Sequence, residues 1–238
     1  NQAKYHWDFV QIQMNFLDWR HASMRGGRRS DADAEYLYDK CEKLGIQCVV
    51  MEPLRGGAFA RMAQEFTDQL KAVHPDDSTA RWAFRWVGSH TNILTTLSGM
   101  NRMEHLEENV KTFSPLDPCT DAENRLLASI ADQMSGFPTI PCTTCSYCMP
   151  CPYGVNIPGN FAYYNEAVTN HTLPLPEGSD AGYAAAFAKF EDGYKKALAD
   201  KKQWAEQCQD CEECLSKCPQ QIRIPNQLAR IVETLQKK

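Results

Sequence analysis

The chain has 238 residues, of which 43% are hydrophobic and 10% aromatic, enough to bury a core and too apolar for a largely disordered polypeptide. Its 25 Lys and Arg against 30 Asp and Glu leave a net charge of -5, which argues against a nucleic-acid partner or an anionic membrane surface. No apolar run approaches the roughly 18 residues of a membrane span and the first residues carry no signal-peptide core, so a soluble protein is expected.

In chain order, Asp8 to Asn15 (DFVQIQMN) mixes apolar and polar positions over strand length, and Gly45 to Met51 (GIQCVVM) is a β-branched run after a glycine; both read as strands. Between them, Asp33 to Leu44 sets Ala34, Leu37, Tyr38 and Cys41 at helical spacing, with Gly45 at the C-terminal cap. Helical stretches follow Pro53 to Gly57, notably Ser78 to Ser89. Asn92 to Ser98 reads as a third strand, and about Arg102 to Phe113 as the helix after it. Three successive strand-helix units predict a parallel sheet. Ser114 to Pro118 (SPLDP) then has linker chemistry, because two prolines remove donors and break helices, and a domain boundary is expected there.

Downstream, residues 121–134, 181–202 and 226–236 have helical patterns and no segment alternates as a strand. An internal repeat is visible: CPYGVNIP from Cys151 and CPQQIRIP from Cys218 share Cys-Pro-x-x-[Val/Ile]-x-Ile-Pro, and each follows three cysteines at two-residue gaps. Each Ile-Pro step leads into a helical segment, where proline near the start is tolerated.

Eight of the eleven cysteines fall into these two runs. Cys208, Cys211, Cys214 and Cys218, followed by a proline, match the ferredoxin run, in which three close thiolates grip one iron-sulfur cube and the fourth reaches its neighbour. Cys142, Cys145, Cys148 and Cys151 follow the same grammar with one residue fewer before the last. By that rule two 4Fe-4S clusters are expected, one on Cys142, Cys145, Cys148 and Cys218, the other on Cys208, Cys211, Cys214 and Cys151. The alternative is a pair of four-cysteine zinc sites, whose ligands usually come as two knuckles separated by a longer stretch. A disulfide framework would scatter its cysteines, so a reducing, cytoplasmic compartment follows. Cys41 and Cys48 read as small buried hydrophobes, Cys119 carries no role, and Tyr147, Tyr153, Phe161, Tyr163, Tyr164 and Trp204 read chiefly as core around the clusters.

The stretches FVQIQMN from Phe9, VVMEPLRGG from Val49, and LSGMN from Leu97 with LEEN from Leu106 resemble the last three βα units of the aldo/keto reductase barrel. The whole chain resembles the C-terminal part of the iron-sulfur branch of that family. The resemblance implies an α/β plus all-α fold: a partial TIM barrel over residues 1–118, then an α-helical ferredoxin-like domain over 119–238. It implies binding of NAD(P)H over the C-terminal ends of the strands, with Gln11 at the nicotinamide amide and Glu108 and Asn109 near the adenine end. Met51 stands where the family often stacks an aromatic ring, and His105 where a basic residue commonly holds the 2'-phosphate. The family's catalytic tyrosine, lysine, aspartate and histidine lie in the half of the barrel that precedes these units, so no catalytic residue is assigned here, and the chain is expected to be a fragment or to complete its sheet through another chain.

The resulting expectation is an oxidoreductase segment that relays electrons through two clusters to or from the barrel, with a redox protein or small electron carrier as partner. A stand-alone electron carrier without catalysis and a zinc-stabilised structural domain are the competing readings. One further feature is the arginine-rich segment Arg20 to Arg29, where a phosphate or acidic group could dock, although such runs are commonly solvated loops. Arg55 to Gly57 offers two glycines that either make a turn or bring backbone amides to a ligand.

Overall fold

The computed structural model describes residues 2–24, 27–28, 33–174 and 181–236, and it divides the chain into two compact units, Asn1–Gly136 and Phe137–Lys238. The first unit is built on three parallel strands: β1 (Phe9–Gln13), β2 (Gln47–Met51) and β3 (Ile93–Thr96), in the order β1-β2-β3. β1 pairs with β2 from Phe9 opposite Gln47 to Gln13 opposite Met51, and β2 pairs with β3 with an irregularity after Cys48. The central strand is the most apolar: Cys48, Val49 and Val50 are all buried, as a strand covered on both sides requires. Cys41 and Cys48 are buried, and burial pushes the Cys48 thiol up to about 12, which suits inert core residues.

Helices α1 (Ala34–Lys43), α2 (Gln64–Lys71), α3 (Thr79–Gly88) and α4 (Met103–Phe113) connect and flank the strands. α3 begins at Ser78, whose hydroxyl accepts from the Arg81 amide, and buries every residue from Trp82 to Val87. One of these is charged. Arg85, 1% exposed, donates from Nη1 to Glu123 Oε1 at 2.8 Å, from Nη2 to Asp117 Oδ2 at 3.2 Å and from Nε to the Asp117 carbonyl at 2.9 Å.

Glu123 sits in the first turn of α5 (Asp121–Ser135), which opens with a complete capping box: the Glu123 amide donates to Thr120 Oγ1 at 3.3 Å, and Glu123 Oε2 accepts from the Thr120 amide at 2.7 Å. His74 Nε2 meets the same carboxylate at 2.6 Å. Further along α5, Asp132 lies 2.7 Å from His21. These contacts hold α5 in the first unit, so the boundary follows Gly136 rather than Pro118. The proline-rich stretch marks a turn whose far side is held by a buried ion pair, and proline content alone carries no information on that. Cys119, in this turn, is buried; its amide donates to Ser89 Oγ at 2.7 Å.

Among the described residues of the second unit, helices α6 (Ile157–Thr169), α7 (Ala181–Ala197) and α8 (Ile224–Gln236) and short turns enclose a core that includes Ile157, Phe161, Tyr164, Tyr194, Ile224 and Leu228. Its polar centre is Asn160, fully buried, which donates to the carbonyls of Asn156 and Gln203 and accepts from the Tyr194 hydroxyl. That hydroxyl also accepts from the Ala205 amide at 2.8 Å, and burial pushes it up to about 12. The aromatic residues divide accordingly: Phe161 and Tyr164 are core, Tyr163 and Trp204 pack against it, and Tyr147 and Tyr153 are exposed. No helix among the described residues is long and apolar enough to cross a membrane.

Candidate metal centre and cofactor face

The two cysteine runs fold as copies of one another. In the first, Thr144 and Ser146 have left-handed backbone, φ 56 and 64; in the second, the residues at the same spacing from the first cysteine, Asp210 and Glu212, have φ 51 and 61. Three residues after the last cysteine of each run the chain is left-handed again, at Gly154 (φ 82) and Gln221 (φ 51). Backbone hydrogen bonds repeat with it. Met149 N donates to the Ser146 carbonyl at 2.9 Å and Leu215 N to the Glu212 carbonyl at 3.0 Å, while Gly154 N and Gln221 N donate to the carbonyls of Cys151 and Cys218, both at 3.0 Å. Turning the backbone left-handed at alternate residues curls each run, so that three sulfurs two residues apart face inward. The proline after the last cysteine leads that cysteine away.

Two small cavities result. The first is lined by Cys142, Cys145, Cys148 and Cys218 over a floor of Ile157, Phe161, Ile222 and Ile224. The second is lined by Cys208, Cys211, Cys214 and Cys151 and also by Cys148, which lines both. Each cavity thus takes three cysteines from one run together with the last cysteine of the other, Cys218 in the first and Cys151 in the second. Each also meets a helix start: Pro158 of α6 lines the first and Pro225 of α8 the second, placing the positive end of a helix dipole beside the thiols.

The electrostatics show what the cavities require. Burial pushes Cys148 up to about 11, and the neighbouring Cys142, Cys145 and Cys218 push the same way. Burial likewise raises Cys214 to about 11 and raises Cys208, with Cys151 among the thiols adding to the latter. Thiolates gathered in this way need a polycation to hold them deprotonated, and loading one releases protons. Among the described residues no three of His, Cys, Asp and Glu converge on a single ion. A lone zinc at 2.3 Å from each sulfur would hold the sulfurs roughly 3.8 Å apart. The donor set, eight cysteine sulfurs around two small pockets, suits a pair of iron-sulfur cubes, whose iron atoms each take one thiolate.

The first unit carries a different face. At the C-terminal half of β1, Gln11 Nε2 lies 3.1 Å from Met51 Sδ at the end of β2, so the two residues stand on one side of the sheet. Glu108 and Asn109 lie on α4, which follows β3, and Asn109 Nδ2 donates to Ser98 Oγ at 2.9 Å. β2 lies between β1, which carries Gln11, and β3, which leads to this helix. The loop after β2 is left-handed at Glu52, Arg55, Gly56 and Gly57, φ 56, 49, 64 and 83, a concentration of uncommon backbone at the strand ends.

A polar group that sequence reasoning did not single out braces this loop. Asp18, 3% exposed, accepts from Gln13 Nε2 at 2.6 Å and Asn15 Nδ2 at 2.7 Å and stands 3.4 Å from Arg55 Nε, while Asn15 also donates to the Glu52 carbonyl. The available signal was three polar residues just past a strand, Gln13, Asn15 and Asp18. In the arginine-rich segment, Arg20 is engaged by Glu35 through two bonds of 2.8 and 2.6 Å; Arg25 and Arg29 and the side chain of Arg28 lie outside the described residues.

Residues 1–132 match the aldo/keto reductase family. The chain belongs to the aldo/keto reductase family. Residues 141–224 match the 4Fe-4S dicluster domain, a span that contains all eight cysteines of the two runs. A Schizosaccharomyces pombe protein described as an uncharacterized oxidoreductase is 32% identical over 77 residues, a stretch that covers 32% of this chain and 24% of that protein. The match therefore spans about a quarter of the length of that relative.

Proposed function

We propose that this chain is the electron-relay end of an iron-sulfur oxidoreductase: two 4Fe-4S clusters in the second unit exchange electrons with an aldo/keto reductase-like barrel to which the first unit contributes its last three βα units. The observation that carries this reading is the crossed lining of the two cavities, three cysteines of one run facing the fourth of the other. Bound there, each cluster takes up or gives up one electron at a time. The chain's own part is to supply eight thiolates, exclude water with Ile157, Phe161 and Ile224, and direct an amide at the sulfur, as Thr144 N does toward Cys142 Sγ at 3.4 Å. Sharing the fourth ligands ties the clusters side by side, the arrangement electron transfer between them requires.

In the same reading NAD(P)H lies across the strand ends, with Gln11 at the nicotinamide amide and Glu108 and Asn109 at the adenine end. The partners are a redox protein or small electron carrier and the rest of the barrel, contributed by a further segment or another chain. The sheet edges support the latter, since Trp7 and Phe9 beside β1 and Leu94 and Leu97 at β3 are exposed.

Anaerobically prepared protein should contain about eight irons and eight sulfides per chain. The crossed ligation is tested by iron content in three variants. Cys145→Ala and Cys218→Ala should each damage the same cluster, so the double variant should retain about four irons. Loss of both clusters from the double variant would place each run on a cluster of its own, and zinc in place of iron would overturn the reading altogether.

A further inference from the structure

The two cavities are near-copies in everything but charge, and that contrast bears on where an electron rests. Both runs share the left-handed turns, the backbone hydrogen bonds and a helix start beside the thiols. Both have one exposed cysteine, Cys145 or Cys211, and three half-buried ones. An amide faces the leading sulfur in each: Thr144 N toward Cys142, and the Asp210 amide toward Cys208. Reduction potential responds to hydrogen bonds to sulfur, solvent exposure and net charge. The first two are matched by the repeat and so nearly cancel between the sites, leaving charge as the difference.

That difference is large. Between Cys142 and Cys151 the chain has no charged residue; between Cys208 and Cys218 it has Asp210, Glu212, Glu213 and a single Lys217. Apart from its cysteines, the first cavity is lined by no ionisable side chain, whereas Glu212, Glu213 and Lys217 line the second. On the other side of Cys208 a groove is walled by Glu206, Asp210 and Glu233. The opposite bias appears at the first cavity, where Arg223 stands between Ile222 and Ile224, both of which line it; its counterpart in the repeat is the neutral Asn156. Negative charge nearby opposes the arrival of an electron, and although these side chains are exposed and partly screened, they act at short range.

We infer that Asp210, Glu212 and Glu213 make the cluster gripped by Cys208, Cys211 and Cys214 the low-potential one, so that a chain carrying one electron holds it on the cluster gripped by Cys142, Cys145 and Cys148. The inference rests on the two-cluster reading above. The step is one electron: the cluster at the acidic run is oxidised by one, the cluster at the neutral run is reduced by one, and no proton moves or bond breaks. The acidic residues are therefore positioning residues for the electron, setting an internal downhill direction from the second run to the first.

The test is a potentiometric titration of the full chain, prepared anaerobically and followed by electron paramagnetic resonance. Two one-electron waves should appear, separated by at least a tenfold bias in electron distribution, which is 59 mV for one electron. Asp210→Asn/Glu212→Gln/Glu213→Gln should raise the lower wave alone. Asparagine tolerates the left-handed backbone at 210, so the change is expected to leave the fold intact. In the reverse design, Thr144→Asp/Ser146→Glu should lower the upper wave alone. A triple variant that moves the upper wave, or moves neither, overturns the inference while leaving two clusters in place. Fewer than two cluster signals, with iron well below eight per chain, would instead overturn the underlying reading and the inference with it.

Discussion

Arg85 and Glu123 show how one residue pair can decide which part of a chain a helix joins. Both are buried, and their 2.8 Å contact links α3 to the capped start of α5. Burial pushes the Glu123 carboxyl up, but the Arg85 guanidinium, the Thr120 amide and hydroxyl and His74 outweigh it and hold the group at about 2. A carboxyl depressed in this way contributes stability that is fully present above its unfolded value and is lost as pH falls through the folded one. Unfolding of the first unit, followed by Trp82 and Trp86 fluorescence, should therefore become easier between about pH 4.5 and pH 2. Glu123→Gln should flatten that part of the profile. Arg85→Leu, which strands the carboxylate in the interior, should cost about 3–5 kcal/mol at neutral pH, measured by denaturant unfolding.

Within the cysteine runs, the repeat specifies a left-handed residue three positions after each final cysteine, yet the two copies fill it differently. Gly154 adopts φ 82 at no steric cost, while Gln221 adopts φ 51 with a side chain that disfavours it. A Cβ at Gly154 would in addition meet the Lys202 carbonyl oxygen at 3.4 Å. Gly154→Ala should therefore destabilise the second unit by about 1 kcal/mol, and Gln221→Gly should be neutral or mildly stabilising. Thermal unfolding of the metal-loaded protein checks both, and equal losses from the two substitutions would show that the copies are not conformationally equivalent.

For the molecule as a whole, the two units differ in what holds them. The first has a sheet, a stacked aromatic interior and a buried ion network. The second packs six of its eight clustered cysteines directly against its core, and emptied sites leave half-buried thiols in place of cross-links. Stripping the iron with a chelator under reducing conditions should remove amide protection from residues 137–174 and 181–236 while leaving that of β2 and α3 intact. Hydrogen exchange read by mass spectrometry distinguishes this from a uniform loss across the chain.

What the sequence determined by itself was whatever depends on short-range geometry. Val49 and Val50 in a β-branched run, Ala34 to Cys41 at helical spacing, and cysteines two residues apart before a proline are each readable because strand, helix and metal-binding turn are periodic in sequence. The second run carried the ferredoxin pattern clearly enough to assign an exchanged fourth ligand, Cys218 to one cluster and Cys151 to the other, and the repeat from Cys151 and Cys218 indicated a pair of equivalent sites. Only the tertiary structure decided which surfaces meet. That Arg85 would find Glu123, 38 residues on, and draw α5 into the first unit was not legible, because several acids and bases lie within reach of such a pairing and burial alone selects one. The same holds for Asn15, Asp18 and Arg55 bracing the loop after β2, and for the charge contrast between the cavities, which acquires meaning only once the matched backbones show what else is equal.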